Sequence, residues 1–468
     1  MAVPIPRLRI DDSNRKWWIV AATGSALAIV LLEEVLIGVA LPTIRDDLGM
    51  TQLLAQWVVS AYVLALTAFV AAAGRLGDIF GHGRLFIGGA VVLGIGSLGA
   101  GLAPDSDWLI ASRAVQGLGT AGLLSLSVAM TGIAFPTGQR GLAIGIYGVV
   151  GAVAAAIGPI LGGFLTDVVS WRWIFLLNLP LVAGLIAITA LAWREPDRAT
   201  RRASFDGPGL VLLLAVLIPL VLALMQAPVW GWGSPAVIVL FAVAALAVPS
   251  FAWFETRAAE PLIDVALLRR PTIVGANLVL FCAQFSKIAV IVFGALFLQD
   301  ELGMSALLAG AAMLPAMIPV VFTSVLGGQL TDRYGSRLPT LAGVGLMTIG
   351  LISIALLVPR ESYVAIVPGL IVWGLTLTFF ITPPQTALLN AVAAGKRGEV
   401  AGVASTGRML GGTIAIATLG VVFVASESFA LLFWIAAGVT VTVWVAAFLL
   451  LERPLSVPRA EPEPALSR

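Results

Sequence analysis

The chain has 468 residues, 59% of them hydrophobic and 11% charged, whereas soluble domains carry about 25% charged residues. So little charge cannot coat a water-soluble fold of this size, which excludes soluble enzymes and nucleic-acid-binding proteins. The single cysteine, Cys282, allows no intramolecular disulfide, and the single histidine, His82, allows no His-rich metal site.

A bilayer span takes about 20 mostly apolar residues. Fourteen stretches meet that length: 17–41, 53–73, 85–102, 108–134, 141–165, 173–193, 208–226, 235–254, 272–298, 305–330, 339–358, 363–389, 399–424 and 429–451. The first follows Arg15 and Lys16 but is too long for a signal-peptide core, so it is read as a retained span. The seventh and eighth are the least clearly separated. The break between them, APVWGWGSP, holds Trp230 and Trp232, which suit a membrane-interface belt. The longest connections, 194–207 and 255–271, are too short to fold as domains, and 452–468 reads as a disordered tail.

Basic residues set the orientation. With the N-terminus in the cytoplasm, 21 of the 27 Lys and Arg fall on cytoplasmic segments and three (Arg45, Arg172, Arg360) on outer loops. Arg113, Lys287 and Arg408 fall inside spans. Both termini are therefore expected in the cytoplasm. The abundance of arginine over lysine suggests a bacterial source, and hence the bacterial inner membrane.

The chain repeats itself. DDLGMTQLLA begins at Asp46 and DELGMSALLA at Asp300, an offset of 254, and at the same offset GRLGDIFGHGR (74–84) meets GQLTDRYGSRL (328–338). Spans one and two thus recur as nine and ten, both running in the same direction. Internal repeats mark many secondary transporter folds, with the substrate site between the halves at mid-membrane. The expected architecture is an all-α membrane protein: a cytoplasmic segment 1–16, six helices in 17–193, linkers and two inserted helices in 194–271, six helices in 272–451, and the tail 452–468.

GRLGDIFGHGR resembles the major facilitator loop pattern G-x-L-x-D-R-x-G-R-R. Arg113-Ala-Val-Gln116-Gly117-Leu-Gly119 resembles that superfamily's fourth-helix R-x-x-Q-G-x-G, and GAVAAAIGPILGG (151–163) resembles its fifth-helix antiporter motif, which supplies Gly158, Pro159, Gly162 and Gly163. LEEVLIGVALP (32–42) and WRWIFLLNLP (171–180) resemble the fourteen-span drug/proton antiporters. Glu33 replaces that subgroup's first-helix Asp, and Ile79, His82 and Gly83 replace basic-motif positions. The resemblance covers nearly the whole chain. It implies a proton-coupled exporter of amphipathic or cationic compounds that works by alternating access. Export of a lipid or secondary metabolite, and proton-coupled uptake, are the alternatives.

Glu33 and Glu34 lie well inside the first span, where hydrocarbon disfavours a carboxylate's charge and suits it to loading and releasing a proton. They point about 100° apart, so one is expected to face the cavity, and Glu33 matches the family's acidic position. Lys287, at offset 254 from Glu33, is expected at equal depth and needs a carboxylate partner: Glu33 or Glu34. Arg113, in the outer third of the fourth span, is assigned by the resemblance to proton coupling. Gln56, Trp57, Tyr62, Gln116 and Asn178 are candidates for lining the cavity. Gly158-Pro159 is expected to bend or tightly pack the fifth span. By analogy, Gly74, Asp78, Gly81 and Arg84, with Asp332, Arg333, Gly335 and Arg337 in the second copy, form a cytoplasmic gate. Arg408 reads equally as a gating or a packing residue. The sequence has no GxxxxGK[ST] phosphate loop, no His/Cys metal set and no stretch long enough for an extramembrane domain, which together argue against an enzyme, and the missing phosphate loop argues also against an ATP-driven pump. The expected partners are an amphipathic small molecule, protons and lipid. The expected protein is a monomer with no cofactor and no metal, driven by the proton gradient.

Overall fold

The computed structural model describes residues 10–195, 206–258, 261, 263–304 and 306–451. The tail 452–468, most of the 194–207 linker and the first nine residues of the N-terminal segment lie outside them. Among the described residues there are eighteen α-helices and no strand. They are α1 (Arg15–Asp47), α2 (Gln52–Phe80), α3 (His82–Gly101), α4 (Ser106–Ala134), α5 (Arg140–Phe164), α6 (Arg172–Leu176), α7 (Asn178–Ala192), α8 (Gly207–Trp230) and α9 (Pro235–Glu255). Then follow α10 (Pro271–Ile288), α11 (Gly294–Asp300), α12 (Ala306–Ala312), α13 (Leu314–Tyr334), α14 (Arg337–Leu357), α15 (Tyr363–Thr376), α16 (Thr382–Asn390), α17 (Arg397–Ser426) and α18 (Phe429–Leu450).

Twelve of these segments are long and apolar enough to cross a membrane; a pair that bends by 41° within α13 makes a thirteenth. Pro319 sits inside α13, and a proline there removes a backbone hydrogen bond and kinks the helix. The stretch 363–389, expected as one span, is two helices joined by turns. Pro383 and Pro384 suit the first turn of a new helix and disfavour continuing the old one, which is where α16 starts. The seventh and eighth stretches are two separate helices. Gly231, at φ +89, ends α8, and the Ser234 hydroxyl accepts from Val237 N–H to start α9.

The duplication is visible in the backbone. Of the five positive-φ glycines, four form two pairs at offset 254: Gly49 (φ +60) with Gly303 (φ +62), and Gly81 (φ +106) with Gly335 (φ +76). Each pair sits at the same turn of its repeat, where a left-handed residue is needed and glycine meets no Cβ penalty.

Within a bilayer, helices are held by close packing rather than by expulsion of apolar surface from water. One large apolar cluster lies wholly within residues 267–451, around Trp373, Phe380 and Phe433. Two others lie wholly within 32–175 and 19–192 of the N-terminal helices. The two helix sets meet at two crossings of the same kind. A Cβ on Gly74 of α2 would stand 2.0 Å from the Gly398 carbonyl oxygen of α17, and one on Gly328 of α13 would stand 2.3 Å from the Gly141 carbonyl oxygen of α5. Further along α5, Gly151 and Gly158 pack instead on Leu27 and Val35 of α1. The sets therefore close on each other at the end that carries the Gly81 and Gly335 turns. Helix α8 lies along this seam, with Leu213 and Leu217 clustered with Ala68, Ala71 and Ala72 of α2.

Candidate functional site

Five helices bring polar side chains to one point in the N-terminal set. On α1, Glu33 is 1% exposed. Its Oε1 accepts from Arg113 Nη1 of α4 at 2.5 Å, and its Oε2 accepts from Asn178 Nδ2 of α7 at 3.2 Å. Arg113, 2% exposed, also donates from Nε to the Val58 carbonyl of α2 (2.9 Å) and from Nη1 to Gln116 Oε1 (2.9 Å). Gln116 and Asn178 each donate to the Ser97 hydroxyl of α3, at 2.8 and 3.2 Å. The Tyr62 ring lies 4.2 Å from the guanidinium carbon, a cation–π contact that further supports the buried charge. A buried ion pair holds only when its remaining donors and acceptors are met, and these contacts meet them. Chemically, this is a carboxylate whose charge depends on one guanidinium. If a proton neutralises Glu33, Arg113 loses its counter-charge.

The expectation that Glu33 faces the cavity is corrected here. Glu33 points into the N-terminal helices, and so do Tyr62, Gln116 and Asn178, expected as cavity lining. The neighbouring Glu34, one 100° step around α1, has a side chain 53% exposed. Glu34, not Glu33, is the partner of Lys287 on α10, with Nζ 4.0 Å from Oε2. The pair joins the two repeat-related helices at one level. Trp57 is half-buried on α2. The side chains of Gln56 and Pro159 lie outside the described residues. Ser97 was not singled out in the sequence, because a serine among the glycines of GIGSLGAG carries no signal of its own.

The gate residues separate into two groups. Asp78, at the end of α2, accepts from Gly398 N (3.1 Å) and Glu399 N (2.8 Å), the first turn of α17. Asp332, its repeat counterpart on α13, accepts from Gly141 N and Leu142 N of α5, both at 2.9 Å. Each carboxylate thus takes up free N–H groups at a helix start, where the helix dipole favours an anion. His82 Nε2 lies 2.9 Å from Asp78 Oδ1. By contrast Arg84 and Arg333 are exposed, with Arg333 over the Tyr334 ring. Arg337 donates to the Phe448 carbonyl of α18 (2.7 Å) within its own helix set. In the GPILGG stretch, Gly158 packs tightly on Val35, Gly162 is buried, and a Cβ on Gly163 would meet nothing. Outside the spans, Trp171 Nε1 and Arg172 Nη1 both donate to Asp47 Oδ2 (2.9 and 3.0 Å). These bonds hold the Asp47 carboxyl below the usual carboxylate range and tie the end of α1 to α6.

Residues 23–416 match the Major Facilitator Superfamily. The chain is a member of that superfamily. It is 33% identical over 405 residues to the multidrug resistance protein Stp of Mycobacterium tuberculosis, covering 86% of this chain and 75% of that one. It is 32% identical over 432 residues to the puromycin resistance protein pur8 of Streptomyces alboniger, covering 90% and 84%. Among solved structures, a proton:xylose symporter superposes with a TM-score of 0.70 at 13% identity, over 94% of this chain and 97% of that one, a likeness that shows the fold. This major facilitator is therefore a multi-pass membrane transporter with an all-helical fold, in which the Glu33–Arg113 cluster is a buried ion pair within the N-terminal helices.

Proposed function

We propose that this protein is a proton-coupled exporter of amphipathic organic compounds of the antibiotic or drug class, working by alternating access. The observation that carries the reading is the Glu33–Arg113 pair, a titratable group set inside apolar helices and matched to a single fixed charge. Relatives named for resistance to several drugs and to puromycin support the cargo class. Counting α6 with α7, α10 with α11, α12 with α13, and α15 with α16 as single spans gives fourteen, the number in the drug/proton antiporter subgroup. We place both termini in the cytoplasm of a bacterial inner membrane, on the positive-inside argument. We take residues 17–193 and 272–451 as the two moving units of a monomer.

In that orientation the Asp78 and Asp332 bonds close the cytoplasmic side, and the arrangement faces outward. A proton entering from outside neutralises Glu33 and frees Arg113, and the cytoplasmic bonds then give way. Cargo enters from the cytoplasm, Glu33 gives up its proton there, and the ion pair reforms. The test is dye transport by purified protein in liposomes under an imposed pH gradient. Gradient-driven movement that is lost in Glu33→Gln is expected. Equal movement without a gradient, or accumulation in the direction of proton flow as in a symporter, would overturn the reading.

A further inference from the structure

With Glu33 committed to Arg113, three charged side chains among the described residues remain deep between the helix sets: Glu34, Lys287 and Arg408. Glu34 and Lys287 stand opposite each other at 4.0 Å. Arg408 of α17 is different. It makes no hydrogen bond or ion pair with any described residue, and its Nε is buried without a partner. Its neighbours locate it on the seam. Gly407 lies beside Asn277 of α10 and Gly411 beside the Phe281 backbone, and Met409 packs with Tyr62, Tyr147 and Leu27 of the N-terminal set. Glu34 and Tyr147 are the titratable groups within electrostatic reach of the guanidinium. Along the α10–α17 pairing, Arg408 and Lys287 are roughly two and a half helical turns apart.

The seam therefore holds two cations against one carboxylate, and that carboxylate already has Lys287 beside it. A guanidinium does not shed its proton, and an unpaired charge in a membrane interior marks a ligand or ion path. Planar, bidentate donors suit a carboxylate or phosphate. We propose that the cargo is an amphipath bearing a carboxylate or equivalent anionic group, which docks on Arg408, while Lys287 adds the second positive charge to the field it enters. This rests on the exporter reading and narrows it: a simple lipophilic cation is not the preferred cargo.

The experiment compares a xanthene dye bearing a free carboxylate with its methyl ester. Binding to the full-length protein in nanodiscs is read by fluorescence polarisation, and empty nanodiscs correct for partition into lipid. The free acid is expected to bind at least tenfold more tightly than the ester. Arg408→Gln should abolish that preference, Arg408→Lys should keep most of it, and Lys287→Gln should reduce it by about threefold. Equal or tighter binding of the ester to the wild type overturns the proposal, as does a preference that survives in Arg408→Gln. If Arg408→Gln does not fold, the wild-type comparison and Lys287→Gln decide. An ester that is moved by a pH gradient with no preference for the acid leaves the exporter reading standing and removes this one. No saturable binding of either dye removes both.

Discussion

Glu33→Met and Arg113→Met remove opposite members of the same buried pair while keeping most of the side-chain volume. The structure makes their costs unequal. In Glu33→Met the Arg113 guanidinium stays buried at 2% exposure. It keeps the Val58 carbonyl and Gln116 as acceptors but has no counter-charge, and it cannot deprotonate. Breaking a buried pair in this way costs about 3–5 kcal/mol. In Arg113→Met the stranded group is a carboxyl, which takes up a proton and keeps the Asn178 amide as a donor. The loss is then that of the hydrogen bonds, about 1–3 kcal/mol, together with the Tyr62 cation–π contact. The double variant strands neither group and should be less destabilised than Glu33→Met alone. Equilibrium unfolding in mixed detergent, followed by tryptophan fluorescence, measures all three. The reasoning is refuted if Arg113→Met costs as much as Glu33→Met, or if the double variant equals the sum of the two.

Asp332→Asn leaves one side-chain oxygen to serve the two N–H groups of Gly141 and Leu142 and removes the charge that favours a helix start. A cysteine introduced at Ser324 should then react faster with a membrane-impermeant thiol reagent added from the Asp332 side, and an unchanged rate would count against the gate. Gly328→Ala places a Cβ 2.3 Å from the Gly141 carbonyl oxygen, so transport should fall at least tenfold with the protein still folded. Gly163→Ala, where nothing lies within 4 Å, should transport normally. Outside the spans, Asp264 Oδ2 accepts from Lys396 Nζ at 2.6 Å, which holds the Asp264 carboxyl below its ordinary range. A lowered folded-state value means the stabilisation is present at neutral pH and is lost as the pH falls through it. Both side chains are partly exposed, so Lys396→Ala should cost only about 0.2–1 kcal/mol. The difference should vanish well below the ordinary aspartate pKa of about 3.9.

What the sequence made legible follows from which interactions leave a trace in it. A carboxylate deep in an apolar run is conspicuous, so Glu33 and Glu34 stood out. The rotation of α1 does not show, because its hydrophobic residues surround it on every side. That is why Glu33 was expected to face the cavity and to be a candidate partner of Lys287, when it faces Arg113 and Glu34 takes the lysine. The repeat offset did place Lys287 at the level of this acidic pair. Asp78 and Asp332 were readable as a repeated pair. Their partners are backbone N–H groups of α17 and α5, and these have no side-chain signature. Arg408 was visible as a charge in a span, but its lack of a partner exists only in three dimensions. Composition located the twelve membrane-length apolar helices, yet it did not show that Pro383 and Pro384 divide 363–389 or that α13 bends near Pro319.

The central claim is that Glu33 is the group that exchanges a proton as cargo binds. The most direct test adds an amphipathic cargo dye to purified protein in weakly buffered detergent and follows proton release with a pH indicator. The account predicts release by the wild type and by Glu34→Gln, and none by Glu33→Gln. Undiminished release from Glu33→Gln would contradict it.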